Sequence, residues 1–260
     1  NEPWEPLWIS IYNAKCLTLP SYRQGRVFFA GDAAHLVPIF GVRGLNSGLD
    51  DAANLAWKLA RVLRGESPDA LLDSYSTERV HATRENIAYG AKSTEFMAPP
   101  NFAYQLMREA TLRLAVSDEQ VRSLINPRQS SPITYVGSPL NAAQTGEWAD
   151  ERARPGAPAP EALLQGKGGA PWHLSSQFGQ GFLCLAFGGQ GPGLSDAGVA
   201  VLAIAPDIDI LGQAWQRYGL HRADEPALVL VRPDGYVMGR WHGLDPAPLR
   251  TALKDTGVLA

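Results

Sequence analysis

Residues Arg26–Gly65 read RVFFAGDAAHLVPIFGVRGLNSGLDDAANLAWKLARVLRG, and the change of pattern inside this stretch decides the fold. Val27-Phe28-Phe29-Ala30 is a short apolar run of buried-strand type that ends at Gly31-Asp32. The residues that follow include Gly31, Pro38, Gly41, Gly44 and Gly48, too many breakers for a helix or strand, so a shaped loop is expected. From Leu49 the pattern turns helical: Leu49, Ala52, Ala53, Ala56, Leu59, Ala60 and Leu63 fall on one face, which is expected to be the buried one. Ser47 or Asn46 is the expected N-cap, Asp50 stands in a capping-box position after Ser47, and Lys58, Arg61, Arg64 and Gly65 gather at the far end.

The start of that helix has the chemistry of an anion or acceptor site. The first-turn N–H groups of Gly44, Leu45 and Asn46 lack intrahelical acceptors, and the dipole there is worth about 0.3–1 kcal/mol towards negative charge. Arg43 adds a full charge, Gly41 and Gly44 let backbone approach a flat ligand, and Asp32 offers a carboxylate to sugar-like hydroxyls.

In this order, GRVFFAGDAAH, P-x-x-G-x-x-G-L-N and DAANLAWKLA, the residues resemble the second flavin-binding motif of the single-component flavoprotein aromatic hydroxylases. These include the para-hydroxybenzoate, phenol and hydroxyphenylpropionate hydroxylases. The resemblance implies FAD as cofactor, with Gly31, Asp32, Pro38, Gly41, Arg43, Gly44, Leu45 and Asn46 in its site. Asp32 would bind the ribityl chain, the Gly44-Leu45-Asn46 backbone would face the pyrimidine edge of the ring system, and Arg43 would stabilise the reduced, anionic ring. Ile39 departs from the proline that many members of that family have at this point, and Val42 stands where some have glycine. His35 reads as a structural hydrogen-bonding group, and no side chain reads as a general base or nucleophile.

Bulk composition excludes several classes. The 260 residues carry 23 basic and 26 acidic side chains, a net charge of −3, which gives no electrostatic case for nucleic acid or an anionic membrane. No apolar run approaches the ~20 residues of a bilayer span. Cys16 and Cys184 lie far apart with no metal-ligand spacing, so reduced thiols, a cytoplasmic location and no metal are expected. The chain opens Asn1-Glu2-Pro3 and reaches a strand-like run at Leu7–Tyr12, with residues 4–17 expected to finish a substrate-domain sheet. A dinucleotide-binding G-x-G-x-x-G loop is not found, so a carboxy-terminal part of a longer enzyme, inactive by itself, is expected.

After Gly65, Ser67-Pro68 should start a helix that buries Leu71, Leu72 and Tyr75, and LLDSYSTER continues the resemblance. Arg79 and Arg84 read as solvated or ion-paired. A helix over Phe102–Ala115 should bury Phe102, Leu106, Met107 and Ala110, and Ser117 should cap a short helix ending at Asn126-Pro127. The expected fold class is α/β: residues 1–126 a partial FAD/substrate-binding domain with a helical segment, 127–160 a proline-rich linker, and 161–260 a second α/β domain. Gly181–Phe187 and Gly198–Ala205 read as buried strands, Leu211–Leu220 as a helix, Ala227–Val231 and Tyr236–Trp241 as a hairpin about Arg232-Pro233-Asp234-Gly235, and Pro248–Lys254 as a helix. This order resembles the thioredoxin fold, whose proline at the place of Pro226 is usually cis, without its redox cysteines; Cys184 reads as a buried hydrophobe.

By the resemblance, NAD(P)H is the co-substrate that reduces FAD, O₂ is the oxygen source, and a small phenolic or other aromatic molecule is hydroxylated by a homo-oligomer. A same-superfamily epoxidase or reductase, or a non-catalytic dimerisation module, are the alternatives.

Overall fold

The computed structural model describes residues 4–11, 13, 15–38, 42–125, 132–166 and 168–259. Two long helices organise the first half, α1 (Gly44–Leu63) and α2 (Asp73–Met97). Gly65, in the left-handed region at φ 72, ends α1: its N–H reaches the Val62 carbonyl (3.0 Å) and the Glu66 N–H that of Arg61 (2.9 Å). A 3-10 turn over Asp69–Leu72 leads into α2 and buries Leu71 and Leu72, while Ser67 turns inward and donates to the Val258 carbonyl (2.6 Å) rather than capping.

The covered face of α1 is not the expected one. Ser47, Asp51, Asn54, Trp57 and Lys58 are buried, while Leu45, Leu49 and Leu63 are 76, 60 and 82% exposed and Ala52, Ala53 and Ala56 are exposed with them. The polar set also recurs at helical spacing, and it has charged partners on α2, so pairing outcompetes apolar burial. The helix also starts earlier than its glycines suggested. Its N-cap is Arg43, with no side-chain cap, so neither Asn46 nor Ser47 caps it and no capping box with Asp50 forms.

Val27-Phe28-Phe29-Ala30 is not a buried strand. Only Val27–Phe28 (β3) pairs as a strand, antiparallel with β2 (Arg23–Gln24) in a small hairpin, and Val27 is 55% exposed. The expected loop holds a second short pair, β1 (Leu17–Thr18) against β4 (His35–Leu36). Residues 7–11 form no strand and are exposed; Tyr12 lies outside the described residues. A strand needs a partner for its backbone groups, and an apolar run alone does not supply one. In α3 (Phe102–Leu114), capped by Asn101, the expected core face is open: Phe102, Leu106 and Met107 are 77, 56 and 53% exposed, and Thr111 is buried instead. Asp118, not Ser117, caps α4 (Glu119–Arg122) by accepting the Gln120 and Val121 N–H groups; Asn126-Pro127 lies outside the described residues.

The second half is built on one sheet in the order β10-β9-β7-β8, comprising β7 (Phe182–Phe187), β8 (Val199–Ile204), β9 (Ala227–Val231) and β10 (Val237–His242). β5 (Leu163–Leu164) and β6 (Trp172–His173) form a separate pair. β7 runs parallel to β8 and antiparallel to β9. Its strand alternation feeds two cores. Phe182, Cys184 and Ala186 pack with Trp57, Leu71, and Leu249 and Leu253 of α6 (Ala247–Asp255). Leu183, Leu185 and Phe187 pack with Leu174, Ile204 and Tyr218, the last just after α5 (Gln213–Arg217). Asp209 starts α5 by accepting three backbone N–H groups, at 2.9–3.1 Å. Pro226 precedes β9 as expected, but its peptide bond is trans.

Residues 132–160 contain neither helix nor strand yet are packed, with Tyr135, Leu140, Ala153 and Ala157 buried. They lie along β10, where Gly156 N–H meets the Val237 carbonyl and Val237 N–H that of Ala157, both at 2.8 Å.

Candidate functional site

A cleft of about 410 Å³ opens at the amino end of α1. Asp32, Pro38, Arg43, Gly44 and Leu45 line it, together with Asn13, Lys15, Leu36, Val37 and Val42. Five of the eight sequence-derived site residues therefore meet in one concavity of ordinary ligand-site size, about 300–1,000 Å³. Gly31 and Asn46 flank it in sequence, and Gly41 lies outside the described residues.

Each wall has a local cause. The first i→i−4 bond of α1 runs from Ser47 N–H to the Arg43 carbonyl (2.8 Å), which leaves the N–H groups of Gly44, Leu45 and Asn46 ahead of the helical ladder. Asp32 sits in a 3-10 turn, Gly31–Ala33, and is exposed. Pro38 is buried against α2, where Gly90 makes room: a Cβ on Gly90 would stand 2.7 Å from the Pro38 Cγ. Val42 holds the left-handed conformation at φ 50, costly for a β-branched side chain and readily adopted by glycine.

Arg43 is 7% exposed; its Nη1 donates to Asn86 Oδ1 (2.5 Å) and its guanidinium stands over the Tyr89 ring at 5.8 Å. The charge thus sits behind the helix start, anchored to α2. Asn86 also donates to the Ser47 hydroxyl (3.0 Å).

Sequence reasoning missed the groups that hold this cleft from behind. Asp51 Oδ2 accepts the Gly31 N–H (2.9 Å) and lies 2.7 Å from His35 Nε2, while Oδ1 accepts Arg79 Nε (2.6 Å). His35 is thus structural, as expected. Arg79 is ion-paired and fully buried rather than solvated; it also donates to the Ser47 carbonyl (3.0 Å) and the Tyr135 hydroxyl (2.9 Å). Burial opposes the Asp51 charge, but the His35 hydrogen bond and the Arg79 cation outweigh it and hold the carboxyl below its usual range. The signal was present as the polar recurrence Ser47, Asp51, Asn54, Lys58 on one helical face.

Beside Arg79, Glu78 faces the second unit. It accepts Lys58 Nζ and Asn54 Nδ2 (both 2.7 Å), Arg232 Nη1 (2.5 Å) and Nη2 (3.0 Å), and the Ser138 hydroxyl (2.5 Å). Asp234 accepts from Arg232 (3.0 Å) and from Trp57 Nε1 (3.1 Å). Burial works against the Glu78 charge, yet Arg232 and Lys58 hold its carboxyl far below the ordinary range. For Lys58 burial wins over Glu78, and its ammonium is lowered to about 8.

Among the described residues the remaining titratable groups show no catalytic arrangement. His81 and His242 lie against the Thr134 and Glu147 carbonyls (3.2 and 2.9 Å), with Glu225 3.1 Å from His242. Cys184 is buried in β7 and its thiol is pushed up to about 12 by burial. Among the described residues no His, Cys, Asp and Glu cluster could hold a metal ion, and no helix is long and apolar enough to cross a membrane.

Residues 2–88, which contain this cleft, match the family described as FAD binding domain. The chain is 32% identical over 237 residues to a flavin-dependent monooxygenase of Mycobacteroides abscessus, covering 88% of this chain and 40% of that protein. Residues 2–88 thus carry the FAD-binding likeness, and the chain is similar over most of its length to flavin-dependent monooxygenases. It is also 33% identical over 252 residues to the tetracenomycin A2 monooxygenase-dioxygenase of Streptomyces glaucescens, covering 90% of the chain and 42% of that protein. Among solved structures, a ternary complex of aklavinone-11 hydroxylase with FAD and aklavinone superposes with TM-score 0.69 at 26% identity, over 91% of this chain and 44% of that one. The chain thus spans less than half the length of these relatives.

Proposed function

We propose that this chain forms part of an FAD-dependent monooxygenase acting on a phenolic or other aromatic substrate, with NAD(P)H as reductant and O₂ as co-substrate. The observation that carries the reading is the cleft at the amino end of α1, where Asp32, Gly44 and Leu45 meet in front of the buried Arg43. The donor set suits a flavin: a carboxylate for ribityl hydroxyls, first-turn N–H groups for a ring edge that becomes anionic, and a fixed cation behind them. Gly31, Asp32, Pro38, Arg43, Gly44, Leu45 and Asn46 would hold it. FAD, when bound, supplies the redox and oxygen-transfer chemistry; the residues of this chain bind, orient and charge-balance it.

The sheet order β10-β9-β7-β8, with β7 and β8 parallel, supports reading residues 161–260 as a thioredoxin-like unit after a 127–160 arm, and the buried Cys184 supports its having no thiol chemistry. A homo-oligomer in the cytoplasm, with no nucleic-acid or membrane partner, completes the proposal.

The test uses the complete natural protein. Asp32→Ala should weaken FAD binding by about 1.5–3 kcal/mol, or ten- to a hundredfold, as for hydrogen bonds to a charged group. Arg43→Ala, with FAD saturating, should lower the flavin reduction potential, because the cation favours the reduced anion. Unchanged affinity in the first and unchanged potential in the second would remove the flavin from this cleft.

A further inference from the structure

The cleft is braced by a chain of side chains that leaves the flavin half of the molecule and ends on the β9–β10 hairpin. Asp51 grips the Gly31 amide, Arg79 grips Asp51 and the Ser47 carbonyl in the first turns of α1, and the Arg79 guanidinium donates to the Tyr135 hydroxyl at 2.9 Å. The Tyr135 ring is stacked on Tyr236, with centroids 4.2 Å apart and planes 19° off parallel. Tyr236 directly follows the turn in which Arg232 and Asp234 are locked to Glu78 and Trp57. All of these are buried or nearly so, and Asp51, Arg79 and Tyr135 are at most 1% exposed.

Position on α2 explains why the brace is sensitive. Glu78 and Arg79 are successive residues about 100° apart on the helix; one is locked to the second unit and the other to the cleft. A shift of the hairpin therefore reaches both ends of the pair together. The Gly31 amide and the α1 first turn, which line or flank the cleft, are the groups at the far end.

We propose that Tyr135, Arg79 and Asp51 are positioning residues that transmit the seating of the second α/β unit to Gly31 and the start of α1, and so set how tightly the cleft holds its flavin. The proposal rests on the flavin reading above. None of these three residues lines the cleft; each acts through the backbone it fixes.

The probe is Tyr135→Phe, which keeps the ring stack on Tyr236 and removes the hydroxyl that accepts from Arg79 and hydrogen-bonds Tyr236 within the same relay. Ser67→Ala is the control: its hydroxyl also ties the two halves, by donating to the Val258 carbonyl, but has no contact with the relay. Amide exchange at Gly31 is read for both in the 260-residue chain, and FAD affinity and the absorption maximum of bound FAD in the complete natural protein. Tyr135→Phe should speed Gly31 exchange and raise the FAD Kd by about three- to tenfold, the range for one hydrogen bond, and shift the absorption maximum. Ser67→Ala should change none of the three. Equal effects of the two variants, or Gly31 exchange unmoved by Tyr135→Phe while wild type binds FAD, would overturn the relay and leave the flavin reading intact. Faster Gly31 exchange in Tyr135→Phe, in a protein whose wild type binds no FAD, would sink the flavin reading and uphold the relay as a brace of the loop.

Discussion

Replacing Glu78 by Gln tests whether the junction between the two halves is held by charge. The carboxylate accepts five hydrogen bonds from Asn54, Lys58, Arg232 and Ser138, and the side chains of Glu78, Lys58 and Arg232 are all completely buried. Gln keeps one oxygen acceptor and turns an NH₂ donor towards other donors, so the change strands a positive charge. Breaking a buried pair by removing one partner costs about 3–5 kcal/mol. Asp234 still neutralises Arg232, which leaves Lys58 as the uncompensated cation. Its escape is to lose its proton, and from an unfolded value of 10.5 at pH 7 this costs 3.5 pH units at 1.36 kcal/mol each, about 5 kcal/mol at most. The ceiling falls as pH rises. Urea unfolding of wild type and Glu78→Gln should therefore differ by about 3–5 kcal/mol at pH 7 and by about 1–2 kcal/mol less at pH 8.5, with Lys58→Met restoring much of the loss. A difference below about 1 kcal/mol at pH 7, or one that does not change with pH, would refute the charge argument.

Three further outcomes are expected. Val42→Gly relieves the left-handed conformation at φ 50 of an exposed β-branched residue and should stabilise the chain by about 1 kcal/mol in urea unfolding; a loss would mean that the Val42 side chain has a packing role. Gly90→Ala puts a Cβ 2.7 Å from Pro38 Cγ and should cost about 1–3 kcal/mol while displacing the cleft wall, visible as altered amide exchange around Val37; unchanged stability and exchange would show that Pro38 yields freely. Glu78 and Asp51 both titrate below their unfolded values of 4.5 and 3.8, so the stability they contribute is whole above pH 4.5 and drains as pH falls through their folded values. Asp51→Asn should accordingly flatten the acid limb of the stability curve, and an unaltered limb would contradict the depressed carboxyl.

The sequence by itself determined the local and the chemical. The order of residues from Gly31 to Asn46 located the cleft, because glycine backbone, an exposed carboxylate beside it and a helix amino terminus are properties of the chain segment itself. The strands of the second half were legible for the same kind of reason: runs such as Phe182–Phe187 are apolar on both faces and can only be central. The hairpin about Arg232-Pro233-Asp234-Gly235 was written in its turn residues, with Gly235 at φ 80.

Tertiary structure alone decided which face of each helix is covered. Periodicity shows that Leu49, Ala52, Ala56 and Leu63 share one side of α1 and that Ser47, Asp51, Asn54 and Lys58 share another, but not which side finds a neighbour. Glu78 and Arg79 on α2 settle it, since they supply the counter-charges to Lys58 and Asp51 without which the polar face could not leave water, and Arg232 on the hairpin pairs with Glu78 in turn. The apolar side and the similar faces of Phe102, Leu106 and Met107 remain exposed, and Leu7–Ile11 forms no strand, because neither apolar surface nor a strand edge is satisfied by its own sequence. The brace behind the cleft belongs to the same class: Asp51, Arg79 and Tyr135 are far apart in the chain, and their bonds exist only once α1, α2 and residues 132–160 are packed together.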